Sequence, residues 1–166
     1  MSLPGISGEE LKAWVENMAS EWRQLLAAHP EALAIPCDIR ETTNVAGLLQ
    51  HIVAVELRYA QRLNEQPETA YEDVPSDSVE SIFATHDQAM AMLDNLKGRD
   101  EAFWNEWFTM TTRKGGTFRA QRRIVYGHLL LHAIRHYAQL ATLLRQHDLA
   151  PTWQMDFIAM AVPGLK

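Results

Sequence analysis

Apolar residues recur along the chain at helical spacing in four blocks, separated by breaks that carry proline or glycine. The first block opens at Ser7, with Glu10 three residues on, the spacing of a capping box. Leu11, Trp14, Met18, Trp22, Leu25 and Leu26 form its stripe, and Pro30 closes it. A linker from Pro30 to Thr43 leads to the second stripe, Leu48, Ile52, Val55, Tyr59 and Leu63, with Thr43 or Asn44 as its cap. Pro67 and Pro75 bracket a polar connection. Asp77 and Glu80 then give a second capping-box-like start, followed by Ile82, Phe83, His86, Met90, Leu93 and Leu96 on the inner side. Gly98 ends that helix.

The next segment changes character. Phe103, Trp104, Trp107 and Phe108 precede Thr109 to Arg113 and the run Lys114-Gly115-Gly116, and the glycine pair suits the turn of a short hairpin. From Thr117 a long fourth helix is predicted to about Gln146. Its inner side carries Ile124, Val125, His128, His132, His136, Leu140, Leu143 and Leu144. A tail from Pro151, with Trp153 and Phe157, is expected to fold back onto the helices. No internal repeat interrupts the pattern. The elements predict an all-α four-helix bundle, with a short irregular or hairpin segment before the last long helix.

Composition narrows this picture. A chain of 166 residues that is 47% hydrophobic fits one domain, 1–166, with a real core. The longest stretch free of Asp, Glu, Lys and Arg, Thr42 to Val55, is 14 residues, too short to span a bilayer. The opening MSLPGISGEE has neither a basic start nor an apolar run, so no secretory signal is expected and a soluble, cytoplasmic protein is. The lone Cys37 excludes an internal disulfide framework and any CxxC zinc site. Net charge is −6, unevenly spread. Residues 1–112 hold 7 Lys/Arg against 19 Asp/Glu, and residues 113–166 hold 8 against 2. An acidic chain of this kind is not expected to bind nucleic acid. The basic block reads first as an element packing on acidic neighbours, and second as a field for an anionic small molecule.

The histidines carry the chemistry. His128, His132 and His136 recur every four residues on one helix, so adjacent pairs lie about 5–6 Å apart at Cβ and can converge on one ion. Each step of four also turns the direction by about 40°, so one helix offers a pair more easily than all three. His132 and His136 are read as that pair and His128 as an ordinary hydrogen-bonded residue. His51, beside Leu48, Ile52 and Val55 on the inward side of the second helix, is the best third ligand. His86 reads as a hydrogen-bonded core histidine, and His29 and His147 as exposed or capping residues. There is no HExxH, no Glu-x-x-His, no CxxCH and no P-loop. Zincin, di-iron carboxylate, haem-attachment and nucleotide-loop readings therefore fall away.

Two segments, GHLLLHAIRHYAQLATLLRQH at 127–147 and GLLQHIVAVELRY at 47–59, make the chain similar to the DinB-like (DinB/YfiT-like) superfamily of small bacterial four-helix proteins. The family's metal triad is one histidine on the second helix and an HxxxH pair on the last. The resemblance places His51 at the first position and His132 and His136 at the pair, since the second of the pair is followed by x-x-Gln, here Gln139. His128 then matches the frequent extra histidine one turn earlier. The chain departs in having Tyr137-Ala138-Gln139 where Arg-Gly-Gln is common, and His147-Asp148 where a glycine is common.

The resemblance implies a divalent metal, zinc or nickel, with iron or manganese possible. It also implies a homodimer and a thiol-dependent activity like that of relatives that use bacillithiol-like thiols or isomerise through mycothiol. The expected function is a metal-dependent S-transferase-like reaction on a small electrophile, by metal-activated thiolate or, second, water. A non-enzymatic metal- or small-ligand-binding bundle is the alternative, with Trp14, Trp22 and Met90 as a pocket lining or simply as core. Gln139 and Glu56 are candidates to orient ligand rings or substrate, and His128 stands beside them. Arg113, Lys114, Arg119, Arg122 and Arg123 are candidates to meet a thiol's carboxylates.

Overall fold

Ser7 starts the first helix as its spacing predicts. Its side chain accepts from the Glu10 backbone N–H, and the Glu10 carboxylate reaches back to the Ser7 N–H at 2.7 Å. The structure, a computed structural model, describes residues 5–112 and 116–161. Helix α1 runs Gly8–Ala28 and gives way to a 3₁₀ turn that opens on Pro30. Helix α2, Val45–Leu63, is capped by Asn44, whose side chain accepts from the Gly47 N–H. Helix α3, Val79–Asp94, starts one residue later than predicted. Ser78 is its cap, boxed with Ser81, while Asp77 only accepts from the Ser81 hydroxyl. The helix ends at Asp94 and not at Gly98 as expected; a turn follows, in which Gly98 stands at φ +81°.

After the short α4, Glu101–Asn105, strands β1, Trp107–Thr112, and β2, Gly116–Gln121, pair antiparallel, with Met110 opposite Phe118 and Thr111 opposite Thr117. The hairpin expected here is therefore formed, with Gly116 at φ +70°, although Gly115 of the turn lies outside the described residues. The last long helix, α5, spans Arg122–Arg145 and not residues from Thr117 onward. Residues 117–121 are extended because they pair with β1. The fold is thus mostly helical with a small two-stranded sheet, which is the expected hairpin segment. A short α6, Phe157–Ala161, follows.

Helix α2 packs against α3 and α5, and α1 packs against the same two helices. Between them lie Trp22, Leu48, Ile52, Phe83, Leu129 and Tyr137, all fully buried. The tail folds back as expected. Trp153 meets Trp22 edge-on at 4.9 Å, Phe157 meets Trp14 at 5.3 Å, and the Trp14 indole donates to the Met155 carbonyl. Ile124, predicted to face inward, is exposed together with His128, Leu131 and Arg135. These positions share one face of α5, and the opposite face carries the buried Val125, Leu129 and Ala133. Among the described residues no helix is long and apolar enough to cross a membrane.

Arg122, one of the predicted basic candidates, is 4% exposed and serves the fold. Its guanidinium donates to the Leu63 carbonyl, Glu65 and Glu106, and stacks over Phe103 at 4.5 Å. It ties the end of α2 to α4 and the hairpin. Arg119 donates to the Trp107 carbonyl and Arg123 to Gln121, both at the surface. Arg113 and Lys114 lie outside the described residues.

Candidate metal centre

Helix α2 carries His51 on the side that faces α5, and α5 carries His132 and His136 one turn apart. One potential ligand nitrogen from each lies within 4.8 Å of the others. The His51 and His132 Nε2 atoms are 3.0 Å apart, and the ring of His136 stands 4.5 Å from that of His132 and 4.9 Å from that of His51. His132 and His136 are 7% and 1% exposed, and His51 is half-buried.

Each ring is held from a different side. His136 Nδ1 donates to Gln139 Oε1 at 2.6 Å, which leaves Nε2 as an acceptor, and Arg135 Nη2 donates to it at 3.1 Å. His132 Nδ1 is buried with no hydrogen-bond partner among the described residues. A ring buried with one nitrogen unsatisfied calls for a strong interaction at the other.

Both α5 rings are held in the neutral form. Burial, then the neighbouring His136 and His51 and the Arg135 charge, push His132 down to about 2. Burial and the Arg135 charge, against the Gln139 hydrogen bond, push His136 down to about 4. At neutral pH both are uncharged and keep a lone pair, the form in which imidazole ligates metal. The donor set fits: three neutral imidazoles suit zinc, nickel or iron. Ligand atoms within 4.8 Å of one another are close enough to be gathered by one ion with Zn–N bonds of roughly 2.0–2.1 Å. The described residues contribute three ligands to this group and no fourth.

The other predicted residues are placed as follows. Gln139 sits against His136. His128 is exposed at the rim, its ring 5.9 Å from that of His132 and 5.8 Å from Tyr59, and burial of part of the ring lowers its pKa. Glu56 faces elsewhere. It is fully buried, and its Oε2 pairs with His86 Nδ1 at 2.8 Å, the hydrogen-bonded core role read for His86. A residue at His51+5 points to the interior, whereas the face that continues from His51 passes through Val55, Arg58 and Arg62.

Over the triad opens a cleft of about 890 Å³, with His51 and His132 in its lining. Its basic residues are Arg40, Arg58, Arg62 and Arg135, none of which belongs to the block predicted from charge. Arg58 and Arg62 are committed to Glu68 and to the Thr69 and Thr111 carbonyls. Arg40 makes no hydrogen bond or ion pair among the described residues. It and Glu41 stand at φ +57° and +62°, a conformation that costs non-glycine residues on the order of 1–3 kcal/mol each. The sequence held a signal for two of these arginines, since positions 58 and 62 lie seven and eleven residues after His51 on one helical face. Nothing local marks Arg40.

Comparison with curated proteins gives no match. The DinB family model matches residues 2–160, nearly the whole chain, and both histidine-bearing helices lie within it. Three histidines that could hold a metal, on a mostly helical frame, agree with that match, and the chain belongs to the DinB family.

Proposed function

We propose that His51, His132 and His136 hold one divalent metal, zinc or nickel, in a single-domain DinB-like four-helix bundle. We propose further that the protein catalyses transfer of a low-molecular-weight thiol's sulfur to a small electrophile. The observation that carries this reading is a three-histidine group lying under an open cleft. Sites with three protein ligands and a free position are the catalytic kind, whereas structural sites are closed by a fourth. Bound there, the metal would acidify a thiol, or a water, on its open side.

The chain's own residues do the rest. Neutral His132 and His136 ligate without first losing a proton. Gln139 fixes the tautomer and plane of His136 by accepting from Nδ1, the usual device for orienting a ligand imidazole. Residues of the cleft wall bind and orient the electrophile. A homodimeric, cytoplasmic protein with small-molecule partners completes the proposal.

Replacing Gln139 by leucine is expected to weaken metal affinity about 10–100-fold, read by competition with a chromophoric chelator. Unchanged affinity would remove Gln139 from the site. The activity is tested with an activated aryl halide and a panel of low-molecular-weight thiols, using protein purified without a His tag. Thiol-dependent turnover that vanishes on chelation and returns with zinc or nickel is the expected result. Bound metal without turnover of any thiol would make the protein a non-enzymatic metal-binding module.

A further inference from the structure

Arg135 occupies an unusual place. Its guanidinium donates to His136 Nε2, the nitrogen left as an acceptor for a metal once Nδ1 has been given to Gln139. An arginine is a donor only and stays charged at any physiological pH. It therefore competes with a cation for that lone pair. A metal bound to Nε2 takes away the acceptor, and the guanidinium is left at the cleft wall, exposed and needing a new one.

The same cleft is lined by Arg40, which makes no ion pair among the described residues. It is close enough for its charge to act on His136 and is held on a turn with two successive left-handed residues. Arg58 and Arg62 line the same space but are largely neutralised by Glu68. The mouth of the candidate centre thus offers two arginines with unmet donors, in a protein that is acidic overall.

We propose that the cleft takes a small molecule bearing a carboxylate or a phosphate, and that Arg135 and Arg40 bind its anionic group beside the metal. The inference rests on the metal reading and adds a substrate class to it. Arg135 has two positions: on His136 when the metal is absent, and on the ligand's anion when it is present. Guanidinium suits both oxyanions, because its planar fork matches their oxygens. The binding site is drawn from positions 40 and 135, not from the basic block at 113–123.

The test uses zinc-loaded full-length protein titrated calorimetrically with benzoate, phenyl phosphate and, as the uncharged control, benzamide. At least one anion is expected to bind about tenfold or more tightly than benzamide, and the stronger of the two identifies the oxyanion. Arg135→Gln and Arg40→Gln are each expected to weaken that anion about tenfold or more while zinc content stays at the parent's level. Arg135→Gln is also expected to take up zinc at least as tightly as the parent, since a competing cation has been removed, which a merely structural arginine would not do. Equal binding of benzamide and both anions overturns the proposal. So does parent-like anion binding in both variants, which would leave the anion to the metal alone. Zinc uptake is measured separately: a parent that binds no zinc overturns the metal reading and this inference with it, whereas zinc bound without anion preference overturns only the inference.

Discussion

Alanine at position 132 is expected to abolish metal binding while helix α5 survives. His132 lies 3.0 Å from His51 through Nε2 and next to His136, so its loss leaves only the His51–His136 pair, two ligands from two helices. Loss of a ligand should exceed the roughly 10–100-fold penalty typical of losing a residue that only orients one. Alanine is the best helix former, so far-ultraviolet circular dichroism should be unchanged. The metal-free variant should also melt close to the metal-free parent, because the lost Nε2 contact to half-buried His51 is offset by removal of a buried Nδ1 that had no partner among the described residues. Elemental analysis of untagged protein decides the matter. Equal metal in variant and parent would take His132 out of the site, and a collapsed helical spectrum would show a structural residue instead.

The largest effect on stability is expected on the opposite side of α2. Glu56 and His86 form an ion pair at 2.8 Å, with side chains 0% and 4% exposed. Removing one member of a buried pair strands the other, and Glu56→Leu is expected to cost about 3–5 kcal/mol in urea unfolding. The double variant Glu56→Leu/His86→Leu should recover most of that loss, because two apolar side chains leave no buried charge. Additive losses would mean that the pair acts through packing alone.

The same pair predicts a pH dependence. Burial pulls the His86 pKa down, but the Glu56 charge and hydrogen bond outweigh it, and the net direction is upward. The folded protein therefore keeps a proton that the unfolded chain releases near pH 6.5. Stability from this group is complete below that value and declines as pH rises through the raised one. The parent should lose stability on the alkaline side of neutrality, and Glu56→Gln should show a flatter profile there. A parent that gains stability over that interval would reverse the assignment. Tyr137, fully buried, is likewise pushed well above the usual tyrosine range by burial and then by the Glu56 charge.

The parts of this molecule that were legible in its sequence are those where a period and a ligand type coincide. Leu48, Ile52 and the neighbouring His51 lie on a strongly patterned helix, and HxxxH on α5 survives any small error of register. The start of α5 was not legible, since Thr117 to Gln121 tolerate either conformation and Gln121 gives no side-chain cap to mark the boundary. The strand there exists because residues 116–121 pair with β1, a condition set by the partner strand and not by the local residues alone. Glu56 was misdirected for a related reason: position 56 is inward like a ligand's neighbour, but its partner comes from α3, 30 residues away. The basic wall of the cleft escaped because its arginines come from positions 40, 58, 62 and 135, whereas the run of charge along the chain drew attention to Arg122, which braces the hairpin, and to Arg119 and Arg123 at the surface.

His51 and His132 are 81 residues apart along the polypeptide, yet their nitrogens nearly touch. A cation gripped by both would work as a removable staple, closing a long loop whose freedom is otherwise regained on unfolding. Scarcity of the metal would then do more than silence a reaction: it would slacken the join between α2 and α5 and hand the protein more readily to proteases. Its lifetime in a cell would follow the supply of the ion.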